Sequence, residues 1–560
     1  MMTATTPTAG WRKRRILFPL VPQLLVLLRV MYDLHQQNTH FFLDALVTLE
    51  SGQRLLPRYF YNNIDQRSDA IINENDDSVV PDYNSFWDLP RLERWATQRQ
   101  LSQHHLKSIY RVVTSHRSRA GMANNANLHN PSSSELNDII CGDDDTHESS
   151  ALQQKLQDNG VPKIYAAELV QQYRLRTIRL HEIQYPSSNS GGSSIKLVFQ
   201  LPKESSSAVD RFFETVIIRH DTRNNNNNST GNAIKSTFGT RYTVCVSSQV
   251  GCSRACTFCA TGTQMKFMSQ LTSSDIVEQV YMAQQVLNHI HNTDHGDNGT
   301  HMQQKGQELL RNIVFMGMGE PLDNWEAVYE ACRILTHQRI FHFNPKRITI
   351  STVGVTPDNI RQMARDAPSI RLAISLHGAT QSIRERLMPA TKLKHASLRE
   401  LELALDDHVK ISGQFGGSMI EYLLIDDVND TEEAAQALIE FCQRRQQHQR
   451  EVATAFYKST SVIPTLTTYV NLIPYNPTLI GTNMYQYRTP TDVKILKFQE
   501  RLLLQSCLDN NIKSHIRWSS AASRDTSGAC GQLALLSSQT RENATIIGKA
   551  NCRPQEPYHD

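Results

Sequence analysis

The chain has 560 residues, room for two or three domains. Its 39% hydrophobic and 20% charged content is that of an ordinary globular enzyme, and ten cysteines at this length exclude a disulfide scaffold and fit a reducing interior. A net charge of +3 excludes a uniformly basic surface, so a nucleic-acid partner would have to meet a local patch.

The first 80 residues read as an extension. Arg12, Lys13, Arg14 and Arg15 precede the uncharged run Ile16 to Leu28, and no acidic residue occurs before Asp33. Broken by Pro19 and Pro22, that run is too short and kinked to span a membrane, so no stable membrane association is expected. A basic, acid-free start followed by apolar residues predicts an organellar targeting segment, for a plastid or a mitochondrion. The alternatives are a buried N-terminal helix and a cytoplasmic protein. A polar linker runs from Asn62 to Tyr83.

Residues 81–185 are expected to form a small helical module. Leu89, Leu92, Trp95, Leu101, Leu106, Ile109 and Tyr110 recur near helical spacing, and the Ser/Asn/Asp/Gly-rich stretch Ser115 to Asn159 reads as a disordered insertion. The main domain is expected over residues 186–540, followed by a polar tail over 541–560. Around its start, Thr177 to Glu182, Ile195 to Leu201 and Phe212 to Ile218 read as strands, and the asparagine run Asn224 to Asn228 as a solvated loop.

Beyond Arg241 strands alternate with helices. The strand candidates are Tyr242–Ser247, Ile313–Met316, Arg347–Ser351, Arg371–Ser375, Met419–Ile425 and Tyr469–Ile473, and Thr272 with Asp275 forms a capping pair for one of the intervening helices. Repeated βα units predict an α/β fold with a parallel sheet, closed or partly closed into a barrel. Reactive residues of such barrels collect at the C-terminal ends of the strands.

The strongest chemical signal is Cys252, Cys256 and Cys259, a C-x3-C-x2-C spacing with Phe258 before the last thiol. Three thiolates can hold three irons of a [4Fe–4S] cluster and leave the fourth open to a ligand. A zinc site would need a fourth ligand, and no second cysteine pair follows at a finger-like distance. Met316-Gly-Met-Gly-Glu-Pro-Leu322 follows a strand directly; its glycines permit close approach and Glu320 can accept from an amino group. Ser351, Ser375-Leu376-His377 and Asn476 also end strands and suit ribose or carboxylate contacts. Cys245 precedes the cluster loop by seven residues, and Cys530 lies in an exposed-looking Gly-Ala-Cys-Gly context. Cys332, Cys442 and Cys507 read as small buried hydrophobes.

The three-cysteine spacing is the signature of radical S-adenosylmethionine (SAM) enzymes. Together, Cys245-Val-Ser-Ser-Gln-Val-Gly-Cys252, Gly-Met-Gly-Glu-Pro-Leu, Ser-Leu-His, Asn471-Leu-Ile-Pro-Tyr-Asn476 and Ala-Cys-Gly-Gln-Leu533 resemble the RlmN/Cfr family of radical-SAM RNA adenine methyltransferases. The resemblance runs from about Phe86 to Leu533. It implies a radical-SAM partial (βα)6 TIM-type barrel with a small N-terminal helical accessory domain that grips RNA. Cys252, Cys256 and Cys259 would ligate the cluster, and Gly319, Glu320, Ser351, Ser375, Leu376, His377 and Asn476 would surround SAM.

Cys530 would carry a methyl group as a thioether, Glu214 would act as base, and Cys245 would release the product by forming a disulfide with Cys530. Two SAM molecules would be used per turnover. The implied substrate is adenosine C2 in large-subunit rRNA, with tRNA as a second substrate. The implied partners are rRNA, tRNA and an electron donor such as flavodoxin or ferredoxin, acting on a monomer. The alternatives are C8 methylation, an RNA-binding assembly factor of the same fold, and a radical-SAM enzyme with a small-molecule substrate. Two departures from the family pattern stand out. About thirty residues separate Glu214 from Cys245, where the family has a shorter loop, and Arg524-Asp-Thr-Ser-Gly528 precedes Cys530 in place of an acidic-rich turn. Insertions are expected at His289 to His301 and at Arg444 to Thr468.

Overall fold

The computed structural model describes residues 83–115, 145–185, 194–202, 210–220, 240–293, 310–414, 419–456, 466–477, 485–506, 512–518 and 531–533. The chain divides into two units, Met1–Val79 and Val80–Asp560, and everything described belongs to the second. Several sequence expectations lie outside the described residues: the targeting segment, the asparagine run, most of the His-rich insertion, the polar tail, and Cys507 and Cys530.

The helical module begins with strand β1 (Asn84–Ser85), which pairs in parallel with β2 (Tyr173–Arg174). Asp88 caps the Leu89–Gln98 helix by accepting from the Arg91 amide at 3.1 Å, and Leu89, Leu92, Trp95 and Ala96 are its buried face. The Gln103–Ser115 helix buries Leu106, Ile109, Tyr110 and Val113 at the same period. Within the segment expected to be disordered, Asp145–Asp158 forms a helix, because Leu152 and Leu156 are buried four residues apart. The Lys163–Gln172 helix follows and leads directly into β2.

Two groups pin this module to the main sheet's first helix, Ser273–Thr293. Trp87 is wholly buried, packs on Tyr281 and Phe341 with ring centres 5.1 Å away, and donates from Nε1 to the Leu175 carbonyl. Burial of a side chain this size contributes about 3 kcal/mol or more. Glu278 accepts from Ser85 Oγ at 2.8 Å, from the Thr177 amide and hydroxyl, and from the Ile178 amide. Desolvation pushes this carboxyl up to about 7, and the donors from Ile178 and Thr177 oppose that shift.

The main sheet has ten strands. Three are antiparallel, β3 (Arg179–Gln184), β4 (Ser194–Gln200) and β5 (Phe212–His220), and β5 pairs antiparallel with β6 (Arg241–Cys245). A short hairpin of β7 (Gln249–Val250) and β8 (Ser269–Gln270) frames the cysteine loop. The parallel strands continue as β9 (Leu310–Phe315), β10 (Ile348–Thr352), β11 (Arg371–Ser375), β12 (Met419–Leu424), β13 (Thr468–Pro474) and β14 (Ile512–Ile516). Their spatial order is β14-β13-β12-β11-β10-β9-β6-β5-β4-β3, so six βα units end on a seventh parallel strand and β14 and β3 are its two edges. Every residue of β10 is buried, as expected of a parallel strand covered on both faces.

The Ser273–Thr293 helix starts at the predicted capping pair: the Thr272 amide donates to Asp275 Oδ2 at 2.8 Å and the Asp275 amide to Thr272 Oγ1 at 3.1 Å. The insertion at Arg444 prolongs the Glu432–Phe456 helix. No helix among the described residues is long and apolar enough to cross a membrane. Cys332 and Cys442 are buried in helices.

Candidate active site

The cysteine loop leaves β7 through Gly251, whose φ of 76° is left-handed and where a Cβ would run into the Lys266 carbonyl. Cys252, Cys256 and Cys259 follow on one tight loop, and Cys259 is the first-turn cap of the Ala260–Gln264 helix. The loop is docked at three points. The Thr257 amide donates to the Leu387 carbonyl at 2.9 Å, and Thr257 Oγ1 lies 3.1 Å from the Tyr487 hydroxyl. Arg254 forms an ion pair with Asp323. The Ala260 amide donates to the Gly531 carbonyl at 2.8 Å, which fixes the residue after Cys530 beside the last cysteine of the loop. Gln532 Nε2 donates to the Pro477 carbonyl at 2.8 Å, next to Asn476.

Burial pushes the Cys252 thiol up to about 12 and also raises Cys256 and Cys259, while the other loop thiols add repulsion at Cys252 and Cys256. Iron binding would replace those protons. Among the described residues no three His, Cys, Asp or Glu side chains stand where one metal ion could join them. A cluster makes a different demand, because each thiolate binds its own iron. A compensating positive charge is present. Arg384 is wholly buried, donates to the Leu376 carbonyl at 2.8 Å and the Val353 carbonyl at 2.7 Å, and meets no carboxylate among the described residues. Burial lowers its guanidinium to about 10, against a smaller upward pull from Cys256. One buried and two half-buried thiols beside a buried cation that meets no carboxylate among the described residues fit an anionic iron–sulfur cluster.

The strand ends adjoin this loop. Gly319 has φ 99°, and a Cβ there would lie 2.6 Å from Gln249 Cβ, so the glycine turn rests directly on the strand leading to the cysteines. Glu320 is buried, and its carboxylate accepts from the Leu322 amide at 3.2 Å and the Val353 amide at 3.0 Å. Desolvation pushes Glu320 up to about 7, with a smaller rise from Asp323, and the Val353 and Leu322 amides oppose it. Ser351 Oγ lies 3.1 Å from Ser375 Oγ. The Leu376 amide is spent on the Glu421 carbonyl at 3.0 Å.

His377 is buried with φ 52° and accepts from the Leu423 amide through Nδ1 at 3.0 Å, leaving a proton for Nε2. Burial, then Arg384, holds it down at about 3, so the ring is neutral; it meets Phe258 of the cysteine loop edge-on at 4.9 Å. Asn476 is buried one residue beyond Tyr475, which packs with Cys256, Phe258, Leu387, Met388 and Tyr487 in a second apolar cluster behind the loop.

Strand register assigns the remaining side chains to a face. Tyr422 stacks on Phe498 of the Asp492–Ser506 helix at 5.6 Å, and Thr215 Oγ1 donates to Gln279 of the Ser273–Thr293 helix at 2.7 Å. Their strand neighbours Glu421 and Glu214 therefore point away from the helices. The pairs Val216↔Cys245, Cys245↔Val314, Thr349↔Val314, Ser351↔Ala373, Ser375↔Glu421 and Glu421↔Asn471 carry that inner face across seven strands. Glu214, Cys245, Ser351 and Ser375 thus share one face although 161 positions separate the first from the last (375 − 214). Cys245 is buried, which pushes its thiol up to about 12.

Three polar residues of this region carried no sequence expectation. Arg384 is described above. Lys196 of β4 makes an ion pair with Glu214 at 3.0 Å. Glu421 accepts from Asn471 Nδ2 at 2.8 Å. A lysine inside the apolar run Ile195-Lys-Leu-Val-Phe199 was the one available signal, since a buried strand seldom carries a charge without a partner.

If Glu320 holds the SAM amino group, as the resemblance implies, its raised carboxyl would give SAM binding a pH dependence. An ionised carboxylate accepts an amino N–H more strongly than the acid does, so SAM affinity is expected to fall as pH drops from about 8 to about 6. Calorimetric titration of cluster-reconstituted protein with SAM checks this. In Glu320→Gln the limb near neutrality should vanish, and a limb that persists unchanged would assign it to another group.

The Radical SAM superfamily model matches residues 246–438. The dual-specificity RNA methyltransferase RlmN of Vesicomyosocius okutanii is 34% identical over 294 residues, 52% of this chain and 68% of that protein. The probable dual-specificity RNA methyltransferase RlmN of Thermotoga maritima is 34% identical over 295 residues, 53% of this chain and 69% of that one. The crystal structure of a radical SAM methyltransferase from Sphaerobacter thermophilus shares the fold, with a TM-score of 0.54 and 24% identity over 80% of this chain and 99% of that chain. With a cysteine loop suited to an iron–sulfur cluster at the strand ends of a partial barrel, and with relatives matched over two thirds of their length, this chain belongs to the RlmN family of radical-SAM RNA methyltransferases.

Proposed function

We propose that this chain methylates C2 of an adenosine in large-subunit rRNA, and in tRNA, through a methyl group carried on Cys530. The observation that supports this most directly is the Ala260–Gly531 hydrogen bond, which ties the segment after Cys530 to the cluster loop. Cys252, Cys256 and Cys259 would hold the cluster, which with SAM would supply a 5′-deoxyadenosyl radical. Every other role belongs to side chains. The Cys530 thiolate takes the methyl of a first SAM, and S-adenosylhomocysteine leaves. A second SAM is held by Glu320 at its amino end and by Ser351, Ser375, His377 and Asn476 elsewhere, with Gly319 and Leu376 shaping the wall. His377 contributes an N–H donor from its neutral ring.

Once the radical had taken a hydrogen atom from the carrier methyl, the carrier carbon had joined the adenine ring and the unpaired electron had returned to the cluster, Glu214 would remove the ring proton. Cys245 would then lose its thiol proton and attack the Cys530 sulfur; the S–S bond forms as the carbon–sulfur bond breaks, and the departing carbon takes up a proton to become the methyl group. Burial keeps Cys245 protonated at neutral pH, so its reaction waits for a base and for the substrate to reshape its surroundings. The helical module over residues 81–185 grips RNA, the barrel over 186–540 does the chemistry, and the first 80 residues carry a targeting segment. The enzyme acts as a monomer with a flavodoxin or ferredoxin as electron donor, in an organelle or in the cytoplasm.

Nucleoside mass spectrometry after anaerobic reaction tests the reading. Reconstituted protein receives methyl-labelled SAM, a reductant and unmodified rRNA or tRNA. The expected product is labelled 2-methyladenosine, absent with Cys530→Ala. 8-Methyladenosine would overturn the C2 assignment, and undiminished methylation by Cys530→Ala would overturn the carrier.

A further inference from the structure

Lys196 and Glu214 are both fully buried, and their side chains meet at 3.0 Å across β4 and β5. Lys196 pairs with Val216 and Glu214 with Val198, so the two charges stand diagonally on the inner face, flanked by valines. Packing alone does not call for them. Removing two charges from water is costly, and an apolar pair in their place would extend the valine row without that cost. The pair is instead kept on the face that carries Cys245, directly opposite Val216.

We propose that Lys196 is a positioning residue for Glu214, holding the carboxylate charged and fixed against the inner wall until it takes the adenine ring proton. The inference rests on the reading of Glu214 as the base. The assisted step is a proton transfer only. The ring C–H bond breaks, its electron pair stays in the ring, and the proton goes to a carboxylate oxygen. Lys196 keeps its own proton throughout. Without the ammonium, a carboxylate in a dry wall is more readily protonated by solvent and less well aimed, so the base is lost at neutral pH. A purely structural pair would affect folding but would leave the pH profile of turnover in place.

The test uses full-length reconstituted enzyme with SAM, a reductant and an unmodified rRNA fragment, and compares wild type with Lys196→Met, Lys196→Gln, Lys196→Arg and Glu214→Gln. Covalent RNA–protein adduct is read on denaturing gels, and methylation rate is followed against pH; iron content and thermal unfolding report the fold. Lys196→Met and Glu214→Gln are expected to accumulate adduct and to slow product release at least about tenfold. The acid limb of the remaining Lys196→Met activity should move to higher pH by about one unit, and Lys196→Arg should restore it. Lys196→Gln keeps a donor to the carboxylate and loses only the charge, so it carries the test if Lys196→Met does not fold.

A folded, iron-loaded lysine variant that releases product normally with an unmoved acid limb, while Glu214→Gln traps adduct, overturns the role of Lys196. Absence of adduct in Glu214→Gln overturns the base assignment itself, a separate and distinguishable failure.

Discussion

Cys256→Ala is expected to abolish methylation and to remove nearly all cluster absorbance while leaving the protein folded. Cys256 is the middle cysteine of the three proposed to hold the cluster, is 7% exposed, and sits against the apolar cluster of Phe258, Leu387, Met388, Tyr475 and Tyr487. Alanine removes one sulfur from that cluster, a change of about 1–2 kcal/mol at most. The loop would remain pinned, because Thr257 still donates to Leu387 and Ala260 to Gly531. Two remaining thiols, each raised by burial, cannot hold a cluster that needs three deprotonated ligands. The loss of rate should exceed about a thousandfold, since radical generation has no other source in this site. Iron content, circular dichroism and nucleoside mass spectrometry on one preparation separate the outcomes. Retained iron with lost activity would mean that Cys256 serves chemistry other than ligation.

The cysteine spacing, the glycine turn and the strand-end polar residues were legible in the sequence because each is local: a few consecutive residues carry both the conformation and the chemistry. The parallel strands were legible for the same reason, as short apolar runs separated by helical periods. The seventh strand, Ile512–Ile516, was not, because Lys513 and His515 are exposed on this edge strand and dilute its apolar signal. The Asp145–Asp158 helix escaped because only Leu152 and Leu156 mark its buried side amid polar residues. What sequence could not show is the common face of Glu214 and Cys245. Thirty intervening residues hide it, and it follows only from the antiparallel register that sets Val216 against Cys245. Arg384 was equally illegible: an arginine in a seven-residue helix is usually solvated, and nothing local distinguishes one buried under two carbonyls.

Arg384→Met is the second large effect, and it should act on SAM as well as on iron, since it removes the buried charge beside Cys256 together with two hydrogen bonds. Methionine nearly fills the space, so besides the charge the loss is the pair of hydrogen bonds to the Leu376 and Val353 carbonyls. The Leu376 carbonyl keeps the Gly378 amide at 2.7 Å, so the half-buried Val353 carbonyl loses most, at a cost of about 1–3 kcal/mol. That cost falls locally, on the C-terminal ends of β10 and β11, which hold Ser351 and Ser375, and on the turns after them, the second of which holds His377. Those ends are aligned with each other through the Arg384 guanidinium and the Ser351–Ser375 contact. SAM affinity should therefore weaken at least about tenfold, and amides from Ser351 to Gly354 and from Ser375 to Gly378 should exchange hydrogen faster. His377 should stay neutral, because burial is the larger cause of its lowered value and Arg384 the smaller one. A change in tautomer or charge at His377 is thus not the route by which affinity falls. Hydrogen-exchange mass spectrometry with SAM titration decides the matter. Faster exchange with weaker binding supports alignment of the strand ends; unchanged exchange with weaker binding would mean that the guanidinium contacts SAM itself.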